Sequence, residues 1–259
     1  MKILATLAAA TALATPTGYV QGQQRDDGGF GDPQVTAWAT LGLVAARAET
    51  GRAAEYLAKQ EPTSATDRAL IAMARAAAGD RPDDLLPSLR AHRPGKLVNA
   101  TIWTILALRQ AAEPVPPRLV EALRSAQRPN GGWSWLAGGA ADANDTAAAI
   151  QALCAAGVRG RPIDRGVVFL RRHQNADGGF ELTLGRGSDT QSTAWAIQAL
   201  LAAGRAPGAL TFGYLARMRR TDGSYRYNAR YVTTPLWVTA QVLPALVRRP
   251  FPLGRRGEP

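Results

Sequence analysis

The chain has 259 residues, of which 46% are hydrophobic and 20% are charged, so its composition is globular and too apolar for a disordered chain. It carries 31 Lys and Arg against 20 Asp and Glu, a net charge of +11, but the basic residues are scattered singly or in pairs, which argues against a nucleic-acid-binding surface. The single cysteine, Cys154, excludes an internal disulfide and every zinc site that needs two thiolates, and with only two histidines present no metal or cofactor is expected.

The first 14 residues are predicted to form a secretory signal peptide. Met1-Lys2 supplies a positive start, and an apolar run from residue 3 to 14 ends in Ala12-Leu13-Ala14, a small-x-small cleavage pattern. The alternative interpretation is a first buried helix. Export would leave residues 15–259 as a single domain outside the cytoplasm. No apolar run reaches the ~18 residues of a membrane span, so no transmembrane segment is expected, and a cell-surface or transporter partner stays unidentified.

The rest of the chain is a repeat. Four segments share a Gln-x-x-Asp-Gly-Gly-aromatic signature, in full or degenerate form: residues 24–30, 127–133, 174–180 and 219–225. Two more degenerate units fit between the first and second of these, at residues 56–60 and 88–92. Six units in residues 15–259 give about 41 residues each, which is within the range of helical-hairpin repeats.

Each unit is predicted to be a helix, a turn and a second helix. The first helix ends at the Gln, and the Asp-Gly-Gly segment is a turn whose glycines take positive φ. The second helix is apolar and rich in Ala, as in residues 193–203, where Gly204 follows as a C-terminal cap. No segment alternates with period two for long enough to indicate a sheet. Six such hairpins can form an open solenoid or a closed ring.

These motifs resemble a known repeat family. The turn at residues 174–180, followed by Asp-x-x-x-Thr-Ala-Trp at residues 189–195, is similar to the repeat of the prenyltransferase and squalene-cyclase toroids. The resemblance covers essentially all of residues 15–259. It implies an all-α fold, an (α/α)6 toroid with an inner and an outer layer of helices. The same superfamily contains vitamin B12 carriers, so the resemblance by itself does not fix the function.

The resemblance to class II terpene cyclases implies an acid motif, and this chain departs from it. Those enzymes protonate an alkene with the middle Asp of Asp-x-Asp-Asp-Thr-Ala, and residues 142–147 read Asp-Ala-Asn-Asp-Thr-Ala. Asn144 stands at the donor position, and an amide cannot deliver that proton. Asp142 and Asp145 remain the catalytic candidates. The alternative is that they are ordinary N-terminal caps of a helix. The zinc ligands of the protein prenyltransferases are missing around Cys154, which is expected to be a buried core residue.

Tryptophan recurs at one position of the second helices. Trp38, Trp103 and Trp195 each follow the repeat threonine by two residues, and Trp237 takes the matching place in the sixth unit. These indoles point either toward the ring axis, where they would line a cavity for an apolar or planar ligand, or into the core between the layers. We also expect Asp189, Tyr227 and Tyr231 to lie at the mouth of the ring, with the loops of the fourth and fifth units, and to contact the ligand.

Three functions are compatible with these features. The first is an exported toroid that binds an apolar or planar small molecule. The second is a cyclase-like lyase or isomerase in which Asp142 or Asp145 replaces the missing acid. The third is a carbohydrate-active (α/α)6 enzyme, for which the only candidate carboxylates are Asp142, Asp145, Glu181 and Asp189. Export favours the first and third, because terpene metabolism is chiefly cytoplasmic.

Overall fold

The structure is a computed structural model, and it describes residues 15–254. The predicted signal segment, residues 1–14, lies outside the described residues. Within residues 15–254 there are twelve helices and no strand. They are α1 (Pro16–Gln21), α2 (Pro33–Ala45), α3 (Ala53–Ala58), α4 (Ala65–Ala77), α5 (Leu86–Ala91), α6 (Val98–Gln110), α7 (Pro117–Ser125), α8 (Ala143–Ala155), α9 (Arg161–Arg172), α10 (Thr190–Ala202), α11 (Ala209–Met218) and α12 (Pro235–Leu246).

The six even-numbered helices form a closed inner ring. Each packs against the next, from α2 through α4, α6, α8 and α10 to α12, and α12 packs back against α2. The odd-numbered helices lie outside this ring, against the inner helices. Because the inner helices are apolar on nearly every side, they are buried on nearly every side. The predicted all-α toroid of six hairpins is therefore confirmed. None of the twelve helices is long and apolar enough to cross a membrane.

The repeat signature is a set of hydrogen bonds that ties an outer helix to its turn. In the fifth unit, Gln174 Nε2 donates to the carbonyl of Gly178 at 3.2 Å and to Thr211 Oγ1 at 2.9 Å. The carboxylate of Asp177 accepts from the backbone N–H of Gly179 at 2.9 Å. Gly178 has a φ of +86°, which glycine adopts without steric cost. Each polar residue of the signature therefore has a local structural role.

The repeat threonine ties the turn to the inner helix. The backbone N–H of the signature aromatic residue donates to the threonine Oγ1 at 2.9 Å in four units. The pairs are Phe30 with Thr36, Trp133 with Thr146, Phe180 with Thr193, and Tyr225 with Thr239. The same bond sets the register of each inner helix against its turn, and so decides which of its residues reach the ring axis.

The segment after α12 closes the end of the ring opposite the turns. Gln110 accepts from the backbone N–H of Leu253 and donates to its carbonyl, both at 2.7 Å. Gln151 Oε1 accepts from the backbone N–H of Phe251 at 2.9 Å. The ring of Phe251 lies 6.2 Å from that of Trp38 and 6.1 Å from that of Trp195, between ring centroids. Phe251 therefore lies against the tryptophans at this end of the ring.

Candidate functional site

Two positions on each inner helix face the ring axis. One lies two residues before the repeat-threonine position and the other two residues after it, so the two are one helical turn apart on the same face. The upper layer, nearer the turns, consists of Gln34, Thr66, Asn99, Asn144, Gln191 and Trp237. The lower layer consists of Trp38, Leu70, Trp103, Ala148, Trp195 and Gln241.

The indoles of the lower layer point toward the axis and pack on one another. The ring centroids of Trp38 and Trp103 are 5.2 Å apart, those of Trp38 and Trp195 5.4 Å, and those of Trp103 and Trp195 5.6 Å. All three contacts are edge-to-face, the geometry that the ring quadrupole favours. Of the two orientations that the sequence left open, the structure has the one toward the axis, and the three indoles form the floor of a cavity.

Trp237 belongs to the upper layer, so its predicted equivalence with the other three tryptophans is wrong. Because Tyr225 donates to Thr239, Thr239 is the repeat threonine of the sixth unit. Gln241, two residues later, therefore occupies the lower-layer position. Thr234 is the residue before α12, and its side chain makes no capping hydrogen bond. Trp237 still faces the axis, and its ring centroid is 6.2 Å from that of Trp38.

A cavity of about 400 Å³ lies above this floor, within the usual size range of small-molecule sites. The two layers surround it, and Trp135 and Leu182 from the loops of the fourth and fifth units lie at its mouth. Trp135 is 51% exposed, so this side of the cavity meets solvent. The site therefore has an apolar, aromatic bottom and a rim in which carboxamides predominate.

Asp145 is a buried acid at the edge of this cavity. Its Oδ1 accepts from Asn99 Nδ2 at 2.8 Å, and only 6% of the residue is exposed. Burial, followed by the charge of Asp142 and a side-chain hydrogen bond with Asp142, raises the pKa of Asp145 to about 8, against a smaller lowering by Asn99. The protonated form of Asp145 is therefore favoured over the carboxylate, by burial first and by Asp142 second.

Asp142 and Asn144 complete the acid motif. Asp142 Oδ1 accepts from the backbone N–H of Asp145 at 2.9 Å and caps α8, so the capping interpretation of Asp142 is confirmed. Asn144 lines the cavity, and its Oδ1 is buried without a hydrogen-bond partner among the described residues. An unpaired buried oxygen is costly.

The other predicted site residues lie outside the central cavity. Asp189 caps α10, and its two oxygens accept from the backbone N–H and the hydroxyl of Ser192 at 2.7 and 2.8 Å. Its pKa is raised by burial, against lowering by these bonds. Tyr227 is half-buried beside Asp189, and burial raises the pKa of its phenol. Tyr231 is exposed and lines a separate cleft of about 670 Å³. Glu181 is buried and accepts from the backbone N–H of Gly187 at 2.7 Å.

Sequence reasoning missed the carboxamides that line the cavity. Gln34, Asn99 and Gln191 all lie two residues before the repeat position, as Asn144 does, and Gln241 lies two residues after it. That common offset was a usable signal, since a glutamine or asparagine recurs there in four of six units. No group of three His, Cys, Asp or Glu residues that could hold a metal ion occurs in residues 15–254. Cys154 is buried in the core, as expected.

Comparison with known protein families gives one match. The family described as the squalene-hopene cyclase C-terminal domain matches residues 94–253. This range includes the acid motif, the last four inner helices and the segment that closes the ring. No curated protein sequence matches the chain.

Several solved structures share the fold. The type II terpene cyclase MstE from Scytonema is 17% identical with a TM-score of 0.68, over 93% of this chain and 97% of that one. The ent-copalyl diphosphate synthase from Streptomyces platensis is 20% identical with a TM-score of 0.61, and the match covers 83% of this chain but only 50% of the synthase. A glycosidase variant in complex with glucose is 12% identical, with a TM-score of 0.63. One MstE variant structure holds geranylgeranyl dihydroxybenzoate as substrate. At these identities the likeness shows the fold alone.

Proposed function

The chain belongs to the squalene-hopene cyclase C-terminal domain family, and from this membership and the geometry of the cavity we propose that it binds an apolar or planar small molecule at the ring axis. The observation that carries the proposal is the floor of three edge-to-face indoles beneath about 400 Å³ of space. Aromatic walls with a few converging polar groups are typical of small-molecule sites. The hydrocarbon part of the ligand lies on the indoles, and its polar end faces the carboxamides.

Binding without alkene protonation is the better-supported activity. The middle position of the acid motif is Asn144, which has no acidic proton to give. The nearest acid, Asp145, has its pKa raised by burial and by Asp142, and each unit of pKa makes proton loss about 1.4 kcal/mol harder. A general acid for an alkene must instead release its proton readily. Asp145 is therefore suited to hydrogen bonding with a ligand.

One observation favours a second candidate, a cyclase-like lyase or isomerase. Asp145 is a neutral carboxylic acid at the edge of an aromatic-walled cavity, and a neutral acid beside the substrate is what acid catalysis requires. Incubation with squalene, oxidosqualene and linear prenyl diphosphates, followed by a search for cyclic products, tests this candidate. Turnover that is lost in Asp145→Asn would establish it in place of simple binding.

The carbohydrate-active alternative fits the geometry less well. Glycosidases need two carboxyls separated by roughly 5 Å or more, on either side of the scissile bond. The acids at this cavity, Asp142 and Asp145, are hydrogen-bonded to each other, and Glu181 and Asp189 are engaged by backbone and hydroxyl donors outside it. The described residues therefore offer no separated pair facing the cavity.

A direct binding experiment tests the proposal. Pyrene and farnesol serve as planar and apolar probes, and their binding is followed by quenching of tryptophan fluorescence and by calorimetry. We expect Trp237→Ala to weaken binding of both probes, because Trp237 lines the cavity without belonging to the packed floor. Leu210→Ala is the matched control, since Leu210 is an exposed residue of α11. Failure of both probes to bind the native chain, or equal affinity in both variants, would contradict the proposal.

We also propose that the protein is exported, on the strength of the apolar segment at residues 3–14 and its small-x-small end. Expression in cells with a working secretion system, followed by N-terminal sequencing, tests this. A first residue of Thr15 in the exported fraction is the expected result. Recovery of the protein in the cytoplasm with Met1 intact would contradict it.

A further inference from the structure

The cavity has a charge character opposite to that of the whole chain. Among its sixteen lining residues none is Lys, Arg or His, and two are Asp, although the chain carries 31 Lys and Arg and a net charge of +11. A phosphate or carboxylate group entering this space would lose its hydration with no cation to replace it, which is costly. A cationic group would instead meet two carboxyls.

The polar atoms around the cavity are short of hydrogen-bond donors. Asn144 Oδ1 is buried and has no partner among the described residues. Asp145 accepts one bond from Asn99 and is hydrogen-bonded to Asp142, and its pKa is raised by burial and by repulsion from Asp142. An ammonium group carries up to three donors and no acceptor, so it can satisfy these oxygens and take the place of the proton on Asp145.

Among the described residues, the groups around Asp145 include no cation that would compete with an ammonium group for its carboxyl. The charged neighbour of Asp145 is Asp142, the N-cap of α8. Helix α6 presents the neutral Asn99, and the neutral Gln191 of α10 lines the same cavity. No cation from the described part of the chain already balances the pair at the cavity. The indole walls add to the same preference, because the faces of aromatic rings attract cations, most strongly where water is excluded.

We propose that the ligand of this cavity is an organic cation, a hydrophobic amine whose ammonium group binds beside Asp142, Asn144 and Asp145 while its hydrocarbon part lies on the indole floor. This inference rests on the proposed function, since it assigns the chemical class of the ligand of that same site. Binding then expels the proton of the Asp145 carboxyl, and that proton passes to the buffer.

The test compares three probes with one hydrocarbon chain. Decylammonium, 1-decanol and decanoate are titrated into the full chain at pH 7 by calorimetry. We expect decylammonium to bind about tenfold more tightly than decanol, and decanoate to bind most weakly, because charge-assisted hydrogen bonds are the stronger ones. The net charge of +11 attracts decanoate to the protein surface, so a preference for the ammonium reports on the cavity.

Proton release and one variant make the assignment specific. Titrations in two buffers of different ionisation enthalpy should show release of up to one proton with decylammonium and none with decanol. Asp145→Asn should abolish the release and bring the affinity for decylammonium close to that for decanol. A far-ultraviolet circular-dichroism spectrum that matches that of the native chain shows that the variant is folded. Glu121→Gln, at an exposed position of α7, is the charge-matched control and should behave as the native chain.

The outcomes separate the two levels of the proposal. If decanol binds as tightly as decylammonium, the amine assignment is overturned and the proposed apolar ligand site stands. If decylammonium binds more tightly but Asp145→Asn has no effect on affinity or proton release, the assignment to this acid pair is overturned. If none of the three probes binds, the proposed function fails as well.

Discussion

The indole N–H of Trp195 donates a hydrogen bond to Gln241 Oε1 at 2.9 Å, between the neighbouring inner helices α10 and α12. Gln241 occupies the lower-layer position that holds an indole in three other units, and it is the one polar member of that layer. Its side chain satisfies the indole N–H, which would otherwise be buried without a partner. The bond therefore fixes the orientation of Trp195, on which the edge-to-face floor depends.

We expect Gln241→Leu to lower the free energy of unfolding by about 1–3 kcal/mol, the cost of leaving a buried donor unpaired. Urea denaturation followed by circular dichroism measures the change. Trp195→Phe supplies the control, because it removes the donor. In that background Gln241→Leu should cost less than half as much, and equal costs in the two backgrounds would show that the hydrogen bond is not the cause.

The fold was predictable because each element of the repeat signature acts locally. The Gln, the Asp-Gly-Gly turn and the threonine make hydrogen bonds within one unit and to the next outer helix. Their spacing alone therefore predicts a helical hairpin. The predicted register fails in the sixth unit, where Thr239 makes the bond to the turn and Trp237 lies two residues before it.

The candidate site was less predictable because it exists only after the ring closes. Gln34, Asn99, Asn144 and Gln191 belong to the first turns of four different helices, where polar residues are ordinary in any helix. Nothing local distinguishes them from solvent-exposed positions. Only the packing of α12 against α2 brings these turns around one axis, and so the carboxamide rim could not be derived unit by unit.

Two glycines have nearly the same φ but different surroundings. Comparing them separates the cost of backbone strain from the cost of a clash between an added Cβ and its neighbours. Gly178 and Gly185 have φ values of +86° and +84°. A Cβ at Gly178 would lie 2.3 Å from the carbonyl oxygen of Leu210, whereas a Cβ at Gly185 would meet nothing within 4 Å. We expect Gly185→Ala to cost about 1–2 kcal/mol, the penalty of a left-handed alanine.

Gly178→Ala should cost about 1–3 kcal/mol more than Gly185→Ala, because the turn must move away from the start of α11. Thermal and urea unfolding of the two variants measure the difference. Equal destabilisation would mean that the turn can shift freely. The close approach of the turn to the next outer helix would then not require a glycine at this position.

The segment after α12, which closes one end of the ring, should contribute strongly to stability. Phe251 is buried and packs on Trp38 and Trp195. Phe251→Ala removes that contact beneath the floor, and we expect a loss of about 3–5 kcal/mol, typical of a large aromatic core residue. Val247→Ala, at a half-exposed position of the same segment, should cost far less. Acrylamide should also quench the tryptophan fluorescence of Phe251→Ala more strongly, and unchanged quenching would indicate that the segment does not seal the floor.

The pH dependence of the free energy of unfolding tests whether Asp145 is protonated in the folded chain. In the unfolded chain an Asp titrates near ~4, whereas burial and Asp142 raise the pKa of Asp145 in the fold to about 8. Between these values the folded chain holds a proton that the unfolded chain has released. The free energy of unfolding therefore falls as the pH rises through this window, by up to about 1.4 kcal/mol per pH unit from this group.

Asp145→Asn should remove that slope, because an amide has the shape of the protonated acid and can still accept from Asn99. We expect the variant and the native chain to have similar free energies of unfolding near pH 4. The variant should become progressively more stable than the native chain as the pH rises to 8, and the difference should stay constant above pH 8. Urea denaturation at pH values from 4 to 9 measures this, with Asp164→Asn, at an exposed position of α9, as the control that should run parallel to the native chain. A difference between Asp145→Asn and the native chain that does not vary with pH would show that Asp145 is ionised in the fold. An acid that is already ionised has no proton for an incoming cation to expel, so the same measurement bears on the chemical class of the ligand.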